Sequence, residues 1–305
     1  MTLVSVIIPA RNAESTISHT LGSLLNQTIR DIEVIVIDDC SEDGTIDKVS
    51  AFKDSRLRIL KNQSPVGPGS CRNLGIQAAV GEYLGFVDAD DAVHPEYVER
   101  LVGLLGRLGP KAVVASDVWI CRHGRDGCMM PSYTMFRSRG LRVSNGVVLR
   151  VHLAELVNRR IDIKPLINTR ALARSEVRFW DATMGEEWLP FLVELTIAGF
   201  ELYVVGDPLY YYRVHGANIS RRYETVAREL GSVDRLLMAT GIDQRTLEAL
   251  YHYRQFLRAR VPWVALRSGR LGWFVKGLLN YPPAIVFPAY KVRSWLRREW
   301  LAIRS

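Results

Sequence analysis

Four apolar, β-branched runs, each followed by a helical pattern or a turn, narrow the fold before any single residue is weighed. Val4–Pro9 is continuously apolar, as in a strand buried on both faces. Arg11-Asn12-Ala13 follows, then a helical spacing of Ile17, Leu21, Leu24 and Leu25. Glu33–Ile37 is the second run and ends in Asp38-Asp39. Ser41-Glu42-Asp43-Gly44 reads as a turn, and a short helix through Ile46 and Val49 leads to a third strand at Leu57–Leu60. Lys61 to Gly69 is a loop, Ser70 to Ala79 is helical, and Tyr83–Val87 is the fourth strand. Strand and helix alternating at this spacing predict a mostly parallel α/β sheet. Right-handed crossovers then bring every strand's carboxyl end to one edge, where such sheets bind ligands.

Three polar clusters fall at that edge: Arg11/Asn12, Asp38/Asp39 and Asp88/Asp90/Asp91. The last is the most telling, because an apolar run stops abruptly in three carboxylates. Alternate residues of an extended segment share a face, so Asp88 and Asp90 can both address one bound object. Acids packed so closely raise each other's pKa unless a cation sits among them. Hard oxygen ligands here suit Mg²⁺ or Mn²⁺, which take one or two carboxylates plus substrate phosphates. The plainer reading is an Asp-rich turn capping a helix that begins near Pro95.

Beyond Pro95 a helix is expected to about Leu108 and a strand over Ala112–Ile120. Residues 121–150 lack a clear period and read as a loop over the site or a β-hairpin insertion. A helix near Arg150–Asn158, an extended stretch near Lys164–Asn168 and a helix over Glu186–Ala198 stopped by Gly199 come next. Glu201–Val205 and Leu209–Arg213 read as two short strands, and the chain from Tyr223 as mostly helical.

At 305 residues with 48% hydrophobic and 24% charged side chains, the composition is that of a globular protein. The N-terminus lacks the pattern of a signal peptide, and no apolar run reaches the ~18–20 residues a membrane span needs. The four cysteines, Cys40, Cys71, Cys121 and Cys128, have no zinc or redox spacing and are expected as free thiols. The net charge of +8 is uneven: from Tyr251 onward there are eleven Lys or Arg and a single acid, Glu299.

The motifs VSVIIPARNAE, EVIVIDDCSEDGT, GPGSCRNLG, GEYLGFVDADD, GEEW and YYYRVHGANIS, in this order, resemble the family-2 inverting glycosyltransferases of the GT-A fold. The resemblance spans roughly residues 3–220. It implies a GT-A type, Rossmann-like, mostly parallel sheet flanked by helices, with a C-terminal helical appendage. Residues 1–222 would form the catalytic domain, with a donor half to about 110 and an acceptor half over 111–222. Residues 223–305 would form the tail. The implied substrate is a nucleotide-diphosphate sugar, with UDP as the expected nucleotide. The acceptor would be a polysaccharide or lipid-linked glycan of the cell surface.

The same resemblance implies the roles of single residues. Asp39 would accept a hydrogen bond from a uracil-like imide, with Pro9 and Arg11 lining that pocket and Arg72 over the base or a phosphate. Asp38 is the better candidate for a turn stabiliser. Asp88 and Asp90 would form the metal site for Mn²⁺ or Mg²⁺, with Asp90 the direct ligand, and Asp91 would cap the following helix. His215 would approach the metal or diphosphate from a closing loop, with Arg213, Ser220 and Arg221 assisting the phosphates. The base is implied at Glu187, second in the Glu186-Glu187 pair, where the family carries an Asp. Glu is one methylene longer, so the backbone or the acceptor geometry must differ. A helix N-terminus favours the ionised carboxylate, so catalysis would rest on orientation more than basicity. The competing reading has both glutamates merely complementing the helix dipole. Trp188 could stack on a sugar ring or belong to the core.

Two rival functions stay open on the sequence. A nucleotidyltransferase would need a Gly-rich triphosphate loop near the first strand, which Pro9-Ala10-Arg11-Asn12 is not. A nucleotide-sugar-binding module with a decayed site is kept open by the Glu at the base position. The tail mixes Trp263, Trp273, Trp295 and Trp300 with Arg and Lys, as interfacial helices do. An anionic membrane surface is the expected partner; a helical appendage on the catalytic domain or a dimer contact is the alternative. Nucleic acid is not expected, because no recognised binding fold accompanies the basic residues. The resulting picture is a cytoplasmic catalytic domain, peripheral at the inner face of a membrane.

Overall fold

The computed structural model describes residues 2–123, 129–180, 187–214 and 223–267. Its first half follows the expected alternation: β1 (Val4–Ala10), α1 (Ile17–Leu25), β2 (Ile32–Asp38), α2 (Thr45–Ser50), β3 (Leu57–Lys61), α3 (Pro68–Ala78), β4 (Tyr83–Phe86), β5 (Ala92–Val93) and α4 (Tyr97–Leu108). The second half comprises β6 (Ala112–His123), β7 (Met129–Thr134), α5 (Met135–Ser138), β8 (Val148–Val151), α6 (Leu153–Arg159), β9 (Leu166–Asn168), α7 (Thr169–Ser175), α8 (Trp188–Ile197), β10 (Glu201–Val214), α9 (Tyr223–Leu236) and α10 (Gln244–Arg267). One sheet runs β3-β2-β1-β4-β9-β6-β10-β5, with β7 paired to β6 and β8 to β10.

β1, β2, β3 and β4 are parallel, as are β6 and β10. β9 lies antiparallel between β4 and β6. Its N-terminal end therefore falls at the edge where β1, β2 and β4 end. The irregular stretch resolves into the hairpin partner β7, the short α5 and the edge strand β8. The two strands expected at 201–205 and 209–213 are one strand, β10, with register shifts on both sides of Pro208. Proline donates no ladder hydrogen bond, and a bulge accommodates it. Below the bulge β10 pairs with β8, and above it with β5.

Apolar faces on both sides of the sheet are covered. Ile8, Val34, Leu21, Tyr97 and Val114 belong to one buried cluster. Ile7, Phe86, Phe179, Trp188 and Phe191 belong to the other. Val226, Leu250, Leu257 and Val264 join the second cluster, so α9 and α10 pack on the same core as the catalytic-half residues. Among the described residues no helix is long and apolar enough to cross a membrane. Cys40, Cys71 and Cys121 are free thiols, and burial pushes Cys71 and Cys121 up to about 12.

One buried acid fastens the N-terminal strands. Glu33 accepts from Ser5 Oγ at 2.5 Å, from the Val80 amide at 2.8 Å and from Arg58 Nη1 at 2.7 Å. Burial opposes its ionisation, but the bonds from Ser5, Val80 and Arg58 outweigh this and lower its pKa. Its stabilisation is thus present above the unfolded carboxylate pKa of ~4.3 and lost as the pH falls below it. Glu33→Ala strands the buried Ser5 hydroxyl and should cost about 2–3 kcal/mol in urea denaturation at neutral pH.

Candidate active site

The strand register assembles the site. Ala10 is level with Asp38 and Phe86 with Ile7, so β1, β2 and β4 all end toward one edge, β4 three residues lower than β1. Arg11 and Asp39 follow their strands directly, and Asp88 comes two residues after the end of β4. The loops are tied together: Asn12 accepts from the Glu42 amide at 2.9 Å, and Asp38 accepts from the Ser41 amide at 3.2 Å. Asp38 is therefore the turn stabiliser. Asp39 is buried and accepts from the amides of Val66 and Gly67 and from Asn62 Nδ2 at 2.8–2.9 Å. Burial works against its charge, but these three donors hold its pKa below the usual range. Asp39 thus shapes the 62–67 loop, which enters α3. Pro9 is half-buried beneath this edge and Arg11 is exposed at it.

The three acids after β4 have different surroundings. Asp88 is paired with two cations, Arg72 Nη2 at 2.6 Å and Lys164 Nζ at 2.8 Å. Burial would raise its pKa, yet Lys164 and Arg72 hold it well below the ordinary range. Asp91 is wholly buried and accepts from Tyr210 Oη at 2.7 Å and the Arg213 amide at 2.9 Å. Burial first, then the charges of Asp90 and Asp88, push its pKa up. The helix-cap role expected for Asp91 is not found: α4 begins at Tyr97 with Glu96 at its N-cap. Instead Asp91 anchors β10 to the acidic turn. Tyr210 Oη also accepts from the Asp88 amide at 3.2 Å. Asp90 is half-exposed.

Arg213, expected at the phosphates, is 2% exposed and braces the acidic turn from within. Its Nε donates to the Asp90 carbonyl at 2.8 Å, and its Nη2 lies 3.3 Å from His19 Nδ1. A guanidinium only donates, so His19 Nδ1 accepts, and burial with the Arg213 charge lowers the His19 pKa.

Arg72 is the hinge of the arrangement. It is 3% exposed and reaches Glu187 Oε2 with Nη1 at 3.4 Å while holding Asp88 with Nη2. Its guanidinium lies 5.0 Å from the Trp188 ring centroid and 5.4 Å from that of Phe179. Lys164 Nζ lies 4.7 Å from the Trp188 ring. Phe179 and Phe191 stack at 3.9 Å, and Phe86 and Trp188 meet them edge-on. Trp188 is therefore a core residue that supports both cations. Its Nε1 and Arg72 Nε are buried donors with no acceptor among the described residues. Donors left so are open to a ligand oxygen.

Glu187 is the N-cap residue of α8, 4% exposed, and its side chain makes no capping hydrogen bond. Its place at the N-cap keeps the helix-dipole reading open beside the base reading. Two neighbours in the GPGSCRNLG segment fix this approach. Asn73 clamps Phe179 through both its backbone groups, Nδ2 to the carbonyl at 2.8 Å and Oδ1 from the amide at 2.9 Å. A Cβ on Gly69 would sit 2.8 Å from the Trp180 carbonyl and 3.2 Å from Glu187 Cγ, so only glycine admits the close contact.

Glu186, His215, Ser220, Arg221 and the tail beyond residue 267 lie outside the described residues. Lys164 and Tyr210 are the site residues that sequence reasoning missed.

The fold is that of the GT-A glycosyltransferases. The structure resembles TarS from S. aureus in complex with UDP-GlcNAc, with a TM-score of 0.62 at 20% identity over 92% of this chain and 81% of that one. It also resembles the mannosyltransferase PcManGT from Pyrobaculum calidifontis in complex with GDP-Man and Mn²⁺, with a TM-score of 0.62 at 17% identity, covering 98% and 80%. Residues 5–150 match the family model for glycosyl transferase family 2. The succinoglycan biosynthesis protein ExoO of Rhizobium meliloti is 30% identical over 97% of this chain and 86% of its own length. WfgD of Escherichia coli, a UDP-Glc:α-D-GlcNAc-diphosphoundecaprenol β-1,3-glucosyltransferase, is 44% identical over 34% of this chain and 41% of its own. The chain belongs to glycosyl transferase family 2.

Proposed function

We propose that this glycosyltransferase transfers a sugar, with inversion, from a UDP-sugar to a polysaccharide or lipid-linked glycan acceptor in cell-surface polysaccharide synthesis. The observation that carries this reading is the Asp88–Arg72–Glu187 chain. It joins the acidic turn at the donor edge to a buried carboxylate able to take a proton. The names of the relatives ExoO and WfgD support the substrate class.

A divalent ion, Mn²⁺ or Mg²⁺, would supply neutralisation of the donor diphosphate and of the leaving diphosphate. The donor set fits it. Asp90, half-exposed beside Asp88, offers hard oxygens, and such ions complete their shell with substrate phosphates. Asp90 would be the direct ligand, with His215 beside it; Asp88, whose two oxygens are held by Arg72 and Lys164, would meet a metal-bound water. Tyr210 and Arg213 hold the backbone of the turn, so the carboxylates are placed before the donor arrives. Asp39 orders the loop at the nucleotide pocket, which Pro9 and Arg11 line. Glu187 takes the proton of the acceptor hydroxyl as its oxygen attacks the anomeric carbon.

The test is incubation with a panel of nucleotide sugars and Mn²⁺, followed by assay of free nucleoside diphosphate. Release from a UDP-sugar is expected. Donor binding without any release would favour a binding module, and release of pyrophosphate from a nucleoside triphosphate would favour a nucleotidyltransferase. Asp90→Asn is expected to abolish the Mn²⁺-dependent part of donor binding in calorimetry; binding unchanged by the substitution refutes the metal role.

The catalytic domain would work in the cytoplasm at the inner face of a membrane, with the basic, Trp-bearing C-terminal segment meeting anionic lipid. Removal of residues 270–305 should release the protein from anionic liposomes in sedimentation. Retention would refute the anchor.

A further inference from the structure

A cavity of about 780 Å³ opens beside the upper half of β6, and nothing in the proposed chemistry uses it. Its walls include Trp119, Arg137, Arg142 and Asn145. Register places it at the height of the acidic turn. Leu84 of β4 and Val113 of β6 both pair with Ile167, so Asp117 stands four residues along from the same level as Asp88 does. The cavity also lies on the Glu187 side of the sheet. Phe136 and Leu141, which flank its arginines, share a buried cluster with Phe86 and Trp188.

The far wall is built, not incidental. The segment after α5 crosses β10 at Gly206, where a Cβ would sit 2.3 Å from the Ser144 carbonyl. The crossing is fixed by Gly206 amide to Val147 carbonyl at 3.1 Å and Gly146 amide to Asp207 Oδ2 at 2.7 Å. Among the described lining residues the one acid, Asp117, is buried and engaged: its Oδ1 accepts from the Val118 and Phe136 amides at 2.7 and 2.9 Å. Arg137 and Arg142 are exposed and have no ion-pair partner among the described residues. The cavity therefore offers a half-exposed indole, two open guanidiniums and an amide. An aromatic face suits a sugar ring, and guanidinium suits a carboxylate or phosphate.

We propose that this cavity is an acceptor subsite for a saccharide carrying an anionic group, with a ring against Trp119 and the anion on Arg137 and Arg142. The assignment rests on the glycosyltransferase reading above. Its anion can come from a uronate carboxylate or from a sugar phosphate.

The test is equilibrium binding at low salt of a galacturonate trisaccharide, its neutral galactose counterpart and a galactose 1-phosphate, with UDP-sugar binding measured on the same samples. Wild type should bind one of the anionic probes at least tenfold more tightly than the neutral trisaccharide. Preference for the uronate assigns a carboxylate; preference for the phosphate assigns a phosphoryl group. Arg137→Ala/Arg142→Ala should reduce the anionic probe to the neutral level, leave UDP-sugar binding unchanged, and raise the KM for an anionic acceptor with kcat preserved. Trp119→Leu should weaken all three probes. Equal binding of charged and neutral probes, binding of none, or indifference to the double substitution would overturn the subsite. If donor binding persists in that event, the transferase reading stands; if donor binding is absent in wild type, it is the transferase reading that fails.

Discussion

Glu187→Gln is expected to leave donor binding intact and to lower sugar transfer by about 10²- to 10⁴-fold, the usual worth of a positioned general base. The carboxylate is buried at the N-cap of α8 without capping the helix, and Arg72 Nη1 approaches it at 3.4 Å. The amide keeps the size but cannot take a proton. The acidic turn at Asp90 and the loop that Asp39 orders are untouched by the change. Initial rates of nucleoside diphosphate release with acceptor, beside calorimetry with the UDP-sugar, separate the two effects. Transfer at the wild-type rate would remove Glu187 from the chemistry. If Glu186→Gln instead abolishes transfer, the base is the preceding residue.

Arg72→Ala should be the most damaging single change to the fold at the site. It leaves Asp88 with only Lys164 of its two cations and takes the guanidinium from Glu187. Breaking a buried ion pair from one side costs about 3–5 kcal/mol. Arg72→Lys should recover little, because one ammonium cannot serve carboxylates from Nη1 and Nη2 at once. Urea denaturation of both variants checks this. A double-mutant cycle with Asp88→Asn should show that the second substitution costs less once Arg72 is gone. Additive effects would mean that the pair is not coupled.

The site was legible in the sequence wherever it sits on the alternating first half. The β1, β2 and β4 ends carry Arg11, Asp39 and Asp88 to one edge by strand periodicity and crossover handedness alone. Lys164 was not legible, because its position depends on β9 running antiparallel between β4 and β6. A three-residue strand gives no sign of its direction. Tyr210 was hidden within Tyr210-Tyr211-Tyr212, where nothing local tells which ring faces the acids. The Asp91 contact was hidden for a related reason: Asp91 looks like an exposed helix cap in sequence but is buried against Tyr210 and the Arg213 amide across the β10 pairing. The bulge at Pro208 similarly made one long strand read as two.

The proposed transfer is a single displacement driven by one base, and it inverts the anomeric centre. The most direct measurement is proton NMR of the glycoside formed from an α-linked UDP-sugar in Mn²⁺, read at the new anomeric centre. A β-linked product is predicted; an α-linked product would contradict the mechanism.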